Sequence, residues 1–241
     1  MTHWAILSGI GGNLAAYEAV LTDIKRQRFR VEALYILGDL VGLHPQCEAL
    51  VQRVRQPKRG ELQPQVCMGW WEEQCFNLHG MGTDPEATEL LEQVGSDGVK
   101  QLWKSVSRQT VQWLHSLDFG FFELDSLLIH GSTVGCGDML TPDTPPMQLL
   151  DRLLRAEANT LFCGRSGQAF HLQIPAGAVI STVTTLDTPA QTMTQTVRDR
   201  QVVGVGSVGS EPGKATYTLY SPYANTVSFR GVRYGSRGGF G

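Results

Sequence analysis

The chain has 241 residues, of which 41% are hydrophobic and 18% are charged, a composition typical of a globular protein rather than a disordered one. Its formal net charge is −3, so it offers no overall positive charge that would attract nucleic acid or an anionic membrane surface. We therefore expect no nucleic-acid partner and no membrane partner.

The lack of recognisable targeting signals and the pattern of cysteines indicate the same compartment. No apolar run approaches the roughly 18 residues needed to cross a bilayer, and the first residues lack the basic and apolar regions of a secretory signal. The five cysteines are scattered and include no Cys-x-x-Cys pair, which disfavours a disulfide framework and a structural zinc site. We predict a reduced, cytoplasmic protein.

The first two-thirds of the chain alternate short apolar strands with helical periods, a pattern typical of an α/β protein. Strands are predicted at residues 4–7, 33–37, 65–68, 127–129 and 160–163. One helix is predicted to begin at Asn13, a natural N-cap residue. Further helices are predicted over about 85–117 and 145–157.

From about residue 168 the pattern changes to short strands separated by turn residues, and these strands are predicted at 170–174, 179–185, 192–197, 201–205, 216–220 and 226–229. The region of about 174–205 is rich in Thr and Gln and predicts a lengthened hairpin near the edge of the site, either a shield for the sheet or an interface. Residues 233–241 are Gly-rich and are expected to fray. Since no repeat or low-complexity linker interrupts the chain, we predict a single domain over 1–241.

Polar and Gly-rich peptides follow the predicted strands. In open α/β sheets, ligands bind beyond the carboxyl ends of the strands, so these peptides form the candidate site. They are Ser8-Gly9-Ile10-Gly11-Gly12-Asn13, Gly38-Asp39, Gly69-Trp70-Trp71-Glu72, His130-Gly131-Ser132 and Gly164-Arg165-Ser166-Gly167.

In this order and spacing, the peptides resemble the motifs of the calcineurin-like metallophosphoesterase family, in its small bacterial branch. The resemblance rests on residues 7–14 and 36–42, and on residues 206–209 and 213–217, which resemble the final motif and last strands. It spans nearly the whole chain and implies a four-layer αββα sandwich. The family belongs to the hydrolases and uses two divalent metals such as Mn, Fe or Zn.

The same resemblance argues against the family's chemistry. It implies that five of the seven metal-ligand positions carry residues that cannot coordinate a metal, namely Gly9, Gly11, Trp70, Arg165 and Gly167. The catalytic His of the third motif is replaced by Trp71. Only Asp39, at the bridging position, and His130 match. The full vestigial set also includes Asn13 and Glu72.

These replacements decide the prediction about metals. Disturbing even an outer-shell partner of a metal ligand costs about 10- to 100-fold in affinity, so losing five ligands should abolish a dinuclear site. Arg165 adds a permanent positive charge where a metal would lie. We therefore expect no cofactor and no catalytic residue. One hypothesis is that Arg165 pairs with Asp39 in place of the cation; the alternative is that it points to solvent.

The sequence thus predicts a pseudoenzyme that keeps the scaffold and binds a partner protein or a phosphate-bearing small molecule. The glycine loop before the first helix would expose backbone N–H groups to such an anion. Trp70 and Trp71 are either a stacking platform or a filling for the volume that the metals left. His130 is interpreted as a buried, hydrogen-bonded group, with Asp39 as its candidate partner.

Other functions stay open at this point. One is a weakly active or remodelled phosphoesterase, in which His79 and His171 would join Asp39 and His130 around one metal. Another is a structural subunit of a larger complex, and a homo-oligomer is compatible with the sequence. A dinucleotide-binding loop is disfavoured because its third glycine position is Leu14 and no acidic residue follows at the required distance.

Overall fold

A computed structural model describes residues 2–84, 86–175, 177–185, 188–197 and 199–235, without the side chains of 177–197. In chain order the elements are β1 (Thr2–Leu7), α1 (Leu14–Lys25), β2 (Arg30–Leu37), α2 (Cys47–Arg55), β3 (Gln65–Cys67), α3 (Trp70–Leu78), α4 (Thr88–Ser105), α5 (Arg108–His115), β4 (Gly120–Glu123), β5 (Ser126–Ile129), α6 (Pro146–Arg155), β6 (Thr160–Cys163), β7 (Ala169–Ile174), β8 (Gly177–Thr185), β9 (Thr188–Val197), β10 (Arg200–Val205), β11 (Lys214–Ser221) and β12 (Thr226–Arg233).

Two mixed five-stranded sheets form the framework. One has the order β12-β11-β1-β2-β3 and the other has the order β4-β5-β6-β10-β7. In each sheet three successive strands are parallel, β1-β2-β3 in the first and β5-β6-β10 in the second, and antiparallel strands complete the edges. The predicted α/β class is confirmed.

Alternating side chains on the strands divide the interior into layers. Trp4 and Ile6 of β1 point into a cluster shared with Phe162 and Val203 of the second sheet, so the two sheets pack face to face. The intervening Ala5 and the following Leu7 belong instead to the core beneath α1 to α5. On the far side of the second sheet, the core includes Leu149 and Leu153 of α6. This is the four-layer αββα sandwich that the resemblance implied.

The parallel strands of both sheets end at one edge of the sandwich, which brings the predicted peptides together. The loops after β2 and β3 approach each other closely because residue 38 is a glycine. An added Cβ at Gly38 would lie 2.4 Å from the Cα of Gly69. The first helix begins as predicted, because the side chain of Asn13 accepts a hydrogen bond from the backbone N–H of Ala16 at 3.1 Å.

The helical boundaries differ from the sequence prediction in one main respect. The helix predicted over about 85–117 is broken twice: α4 has a kink at Gly95, whose φ is 66°, and α4 and α5 are separated at Val106, which is extended. Ser107 caps the second helix by accepting a hydrogen bond from the N–H of Thr110. The sequence prediction also missed α2, α3 and β4. Both α2 and α3 begin without a side-chain hydrogen bond from the N-cap residue, so the usual start signal was absent.

The strands β8 and β9 form the predicted hairpin, and each pairs with the other in a separate two-stranded sheet. The hairpin emerges where Ile174 of β7 is paired with Arg200 of β10, whereas Ala169 and Val205 mark the other end of this strand pair. Gly167 and Ser207, which line the site, flank that other end. The expectation that the hairpin lies near the site's edge is therefore wrong, since the antiparallel register places it at the opposite end.

The predicted tail falls partly outside the described residues, which end at Gly235. Up to that point the chain is held, since the N–H of Tyr234 donates to the carbonyl of Gly213 at 3.0 Å. Across the described residues, no helix combines the length and the apolar character needed to cross a membrane.

Candidate functional site

A cleft of about 260 Å³ opens where the strand-end peptides meet. Six of the predicted site residues line it, together with two of their neighbours and three residues of the closing segment. The lining residues are Gly9, Gly11, Asp39, Trp71, Gly164, Arg165, Ser166, Gly167, Ser207, Gly209 and Ser210. The structure thus brings these six residues together in one cleft.

The glycine loop does not present its N–H groups to the cleft. The N–H groups of Gly9, Gly11 and Gly12 donate to the carbonyls of residues 38, 39 and 40, at 3.2, 2.8 and 2.7 Å. These bonds fasten the loop after β1 to the loop after β2. An anion held by those three groups, as the sequence suggested, would have to break all three bonds. The loop therefore serves the scaffold, and anion recognition has to come from side chains.

Asp39 forms a buried charge pair with His130. The carboxylate is 7% exposed, and its Oδ2 lies 3.2 Å from Nε2 of His130. The opposite ring nitrogen, Nδ1, lies 2.8 Å from the carbonyl oxygen of Leu37 and donates to it. Burial lowers the pKa of His130, but the Asp39 carboxylate and the Leu37 carbonyl outweigh it, so this pKa is raised above its ordinary value.

Glu72 lies beneath the cleft and is fully buried. Its carboxylate accepts three backbone hydrogen bonds, from the N–H groups of Asp39 at 2.7 Å, Gly69 at 2.8 Å and Val41 at 3.1 Å. Burial and the nearby Asp39 charge raise the pKa of Glu72, and the hydrogen bonds counteract that rise. Both carboxylate oxygens are therefore engaged in joining the loop after β2 to the first turn of α3.

Arg165 occupies the cleft wall with its charge directed at an aromatic ring. Its guanidinium carbon lies 4.4 Å from the ring centroid of Trp70, a cation–π contact. The Nε atom of Arg165 is buried and has no hydrogen-bond partner in the described part of the chain. No ion pair joins Arg165 to Asp39 there. The hypothesis of an Arg165–Asp39 pair is corrected, because Asp39 is already paired with His130 and Trp70 provides the surface for the guanidinium.

The two tryptophans have different roles. Trp70 is fully buried, and its Nε1–H donates to the carboxylate of Glu89 at 3.0 Å, so it fills the interior and supports Arg165. Trp71 is only partly buried and lines the cleft, with its ring edge-on to Trp70 at a centroid distance of 5.0 Å. Its backbone N–H donates to Oδ1 of Asp39 at 2.9 Å. The filling interpretation therefore describes Trp70, and a stacking role for Trp71 stays a prediction.

Three predicted residues lie away from the cleft. Asn13 caps α1, and its amide also donates to the hydroxyl of Tyr234 at 2.7 Å. His79 stacks on Trp103 with a centroid distance of 4.2 Å. His171 of β7 contacts Gln201 at 2.7 Å. A remodelled metal site built from His79 and His171 is therefore not formed by this arrangement.

The residues present do not fit a pair of divalent metals. A Cβ at Gly9 would lie 2.8 Å from Oγ of Ser207, so Ser207 has taken the space that a ligand side chain would need. Both oxygens of Glu72 are occupied by backbone N–H groups, and Arg165 brings a positive charge. Across the described residues, no group of three or more His, Cys, Asp or Glu side chains is arranged to hold an ion.

Sequence reasoning missed the part played by three serines. Ser166, Ser207 and Ser210 all line the cleft. Ser207 donates to the carbonyl of Gly9 at 2.9 Å and accepts from the N–H of Ser210 at 3.2 Å. These two bonds join the closing segment to the loop after β1 at one side of the cleft. The signal was present in the closing segment Gly206-Ser207-Val208-Gly209, where the hydroxyl residue stands beside glycines.

Comparison with solved structures bears on the fold. The chain is similar to a hypothetical protein from Pyrococcus horikoshii OT3, with a TM-score of 0.73, 21% identity and coverage of 98% of this chain and 90% of that one. It is similar to a metallophosphoesterase from Sphaerobacter thermophilus, with a TM-score of 0.64, 20% identity and coverage of 97% and 89%. A mutant cold-active protein tyrosine phosphatase gives a TM-score of 0.50 at 15% identity, with coverage of 94% and 80%.

No protein-family model and no curated protein matches the sequence. At identities of 21% and below, the structural likenesses establish the architecture. The chain has the calcineurin-like metallophosphoesterase fold, as its strand-end peptides predicted.

Proposed function

We propose that this protein is a pseudoenzyme on the metallophosphoesterase scaffold, which binds a phosphate-bearing small molecule in the cleft without metal and without hydrolysing it. One observation carries the proposal. Arg165 lies in the wall of the cleft, is only partly buried, and forms no ion pair among the described residues. A phosphate in the cleft would give this positive charge a partner.

The free energies favour an anion at this position. A hydrogen bond to a charged group contributes about 1.5–3 kcal/mol. The guanidinium is planar and matches the oxygens of a phosphate through two parallel hydrogen bonds. Trp70 holds it in place through the cation–π contact. The neighbouring Asp39 carboxylate lies 3.2 Å from His130, whose pKa is raised, and protonation of His130 lessens the repulsion between Asp39 and an anion.

The same contacts argue against hydrolysis. In the family that the fold resembles, the attacking group is a metal-bound hydroxide, and the ligand positions are lost here. Asp39, Glu72 and His130 would be the candidates to activate water without a metal. Each is already bonded to neighbouring groups of the scaffold: Asp39 to Trp71 and His130, Glu72 to three N–H groups, and His130 to Leu37.

Two measurements on the whole protein test this proposal. The first is elemental analysis after incubation with manganese, zinc and iron followed by desalting, together with hydrolysis of a chromogenic phosphodiester. We expect less than about a tenth of an equivalent of metal and no turnover, since five ligands are missing. Two equivalents of metal with turnover would instead establish the working phosphoesterase.

The second measurement is calorimetric titration with inorganic phosphate and with ribose 5-phosphate. We expect Arg165→Gln to weaken binding by about tenfold or more, because a hydrogen bond to a charged group contributes about 1.5–3 kcal/mol. Arg155→Gln is the matched control, since Arg155 is an exposed residue of α6 paired with Asp151. Equal binding by the wild type and Arg165→Gln would contradict the proposal.

A further inference from the structure

The wall that holds Arg165 also holds an aromatic ring that faces the same cleft. Trp70 lies between them, with the Arg165 guanidinium 4.4 Å from its centroid and the Trp71 ring 5.0 Å from it. Resting on the proposed function, we propose that the ligand is a nucleoside monophosphate, with its phosphate on Arg165 and its base against Trp71. Stacking on an aromatic side chain accepts any base, because every base has a π-face.

The single positive charge of the cleft favours a ligand with one phosphate group. The cleft of about 260 Å³ is open to solvent, so it would hold the phosphate and one side of the ligand without enclosing it. Arg165 is the only Lys or Arg among the described lining residues. A single guanidinium matches one phosphate group and leaves a diphosphate or triphosphate under-neutralised.

The rim supplies hydroxyl groups suited to a sugar. Ser210 is exposed at the rim, and its backbone N–H is bonded to Ser207, which positions its side chain beside the cleft. Ser166 also lines the cleft, and its hydroxyl oxygen accepts only a long hydrogen bond, from the N–H of Gln168 at 3.4 Å. Each hydroxyl retains a proton to donate to a ribose or phosphate oxygen.

Calorimetric titration of the whole protein with adenosine 5′-monophosphate, ribose 5-phosphate and phenyl phosphate tests this assignment. We expect the nucleotide to bind about tenfold or more tightly than ribose 5-phosphate, the gain that stacking of one base supplies. Phenyl phosphate should bind more weakly than the nucleotide, because it lacks the ribose hydroxyls and has a smaller ring. Equal affinity for phenyl phosphate and the nucleotide would overturn the nucleotide assignment.

In the variant Trp71→Leu, the ratio of the affinities for adenosine 5′-monophosphate and ribose 5-phosphate should fall to about one. The fall should come from weaker nucleotide binding, with ribose 5-phosphate binding unchanged. Trp103→Leu is the matched control, since Trp103 is 48% exposed on α4 and lies outside the lining. It should keep the preference. A preference that persists in Trp71→Leu would contradict the role of Trp71.

The two proposals fail differently. If the wild type binds none of the three phosphate compounds, the proposed function itself is wrong. If it binds the nucleotide and ribose 5-phosphate equally, phosphate binding stands and the base contact is excluded. Wild-type titrations alone separate these outcomes, so the test holds even where a variant does not fold.

Discussion

Asp39 belongs to a network of buried hydrogen bonds at the floor of the cleft. Its φ of 54° lies in the left-handed region, which a non-glycine residue rarely adopts. The Glu72 carboxylate accepts a hydrogen bond from the N–H of this residue, and Asp39 in turn accepts one from the N–H of Trp71 and lies beside His130. These contacts therefore hold Asp39 in an unusual backbone conformation.

This pairing predicts how stability depends on pH. The pKa of His130 is raised in the folded state, so the stabilisation from its charged form is fully present below the unfolded pKa of about 6.5. It is lost as pH rises through the folded pKa. The raised pKa of Glu72 acts in the same direction. The free energy of unfolding should therefore fall as the pH rises from about 4.5, where Glu72 begins to ionise in the unfolded chain, and continue to fall above about 6.5.

Asp39→Asn should lower the free energy of unfolding by about 1–4 kcal/mol at pH 6 and by less at pH 9, because the partner of charged His130 is lost. Asn tolerates the left-handed backbone conformation, so the backbone does not cause the change. Asp97→Asn is the matched control, since the Asp97 side chain is 97% exposed, and it should change stability by less than about 0.5 kcal/mol. Urea unfolding measures both, and an equal loss at the two pH values would show that His130 is uncharged.

At the scale of elements, the start of α3 is organised by a residue inside the helix. Gly69 has no side chain to cap the helix, and the Glu72 carboxylate accepts from its backbone N–H instead. The same carboxylate reaches the N–H groups of Asp39 and Val41 in the loop after β2. One side chain therefore fixes the position of Trp70 and Trp71 relative to the rest of the cleft.

Glu72→Gln should lower the free energy of unfolding by about 1–3 kcal/mol, because an amide NH₂ would face backbone donors and leave at least one of them unsatisfied. Glu92→Gln is the control, since Glu92 is an exposed residue of α4. Thermal and urea unfolding provide the measurement. An unchanged stability in Glu72→Gln would mean that water replaces the lost acceptor.

At the scale of the whole molecule, the cleft and the β8–β9 hairpin occupy opposite ends of the second sheet. The strands β7 and β10 pair directly up to Ile174 and Arg200, so the sheet is complete without the hairpin. Replacing residues 176–198 by Asn-Gly would leave a four-residue connection of a common type between these strands.

This shortened variant should keep its free energy of unfolding within about 1 kcal/mol and keep its phosphate affinity, because β8 and β9 pair with each other and with no other described strand. Urea unfolding and the phosphate titration check both expectations. A loss of several kcal/mol would mean that the hairpin contributes to the core.

The predicted strands and the observed strands agree closely where a buried run is short and bounded, as at Thr160–Cys163. They disagree where the boundary depends on distant partners. The four residues of β4 are visible as a strand only through their pairing with β5, and α3 begins only because Glu72 reaches back to Gly69. Local periodicity contains no record of such contacts.

By itself, the sequence determined the fold class and pointed to the strand-end peptides, because strand periodicity and the identity of strand-end residues are local properties. Only the tertiary structure decided where the Arg165 charge lies and that the glycine-loop N–H groups are already bonded. It also decided that the hairpin is remote from the cleft. These features depend on atoms from segments far apart in the chain, and their distances are set by packing rather than by spacing along the chain.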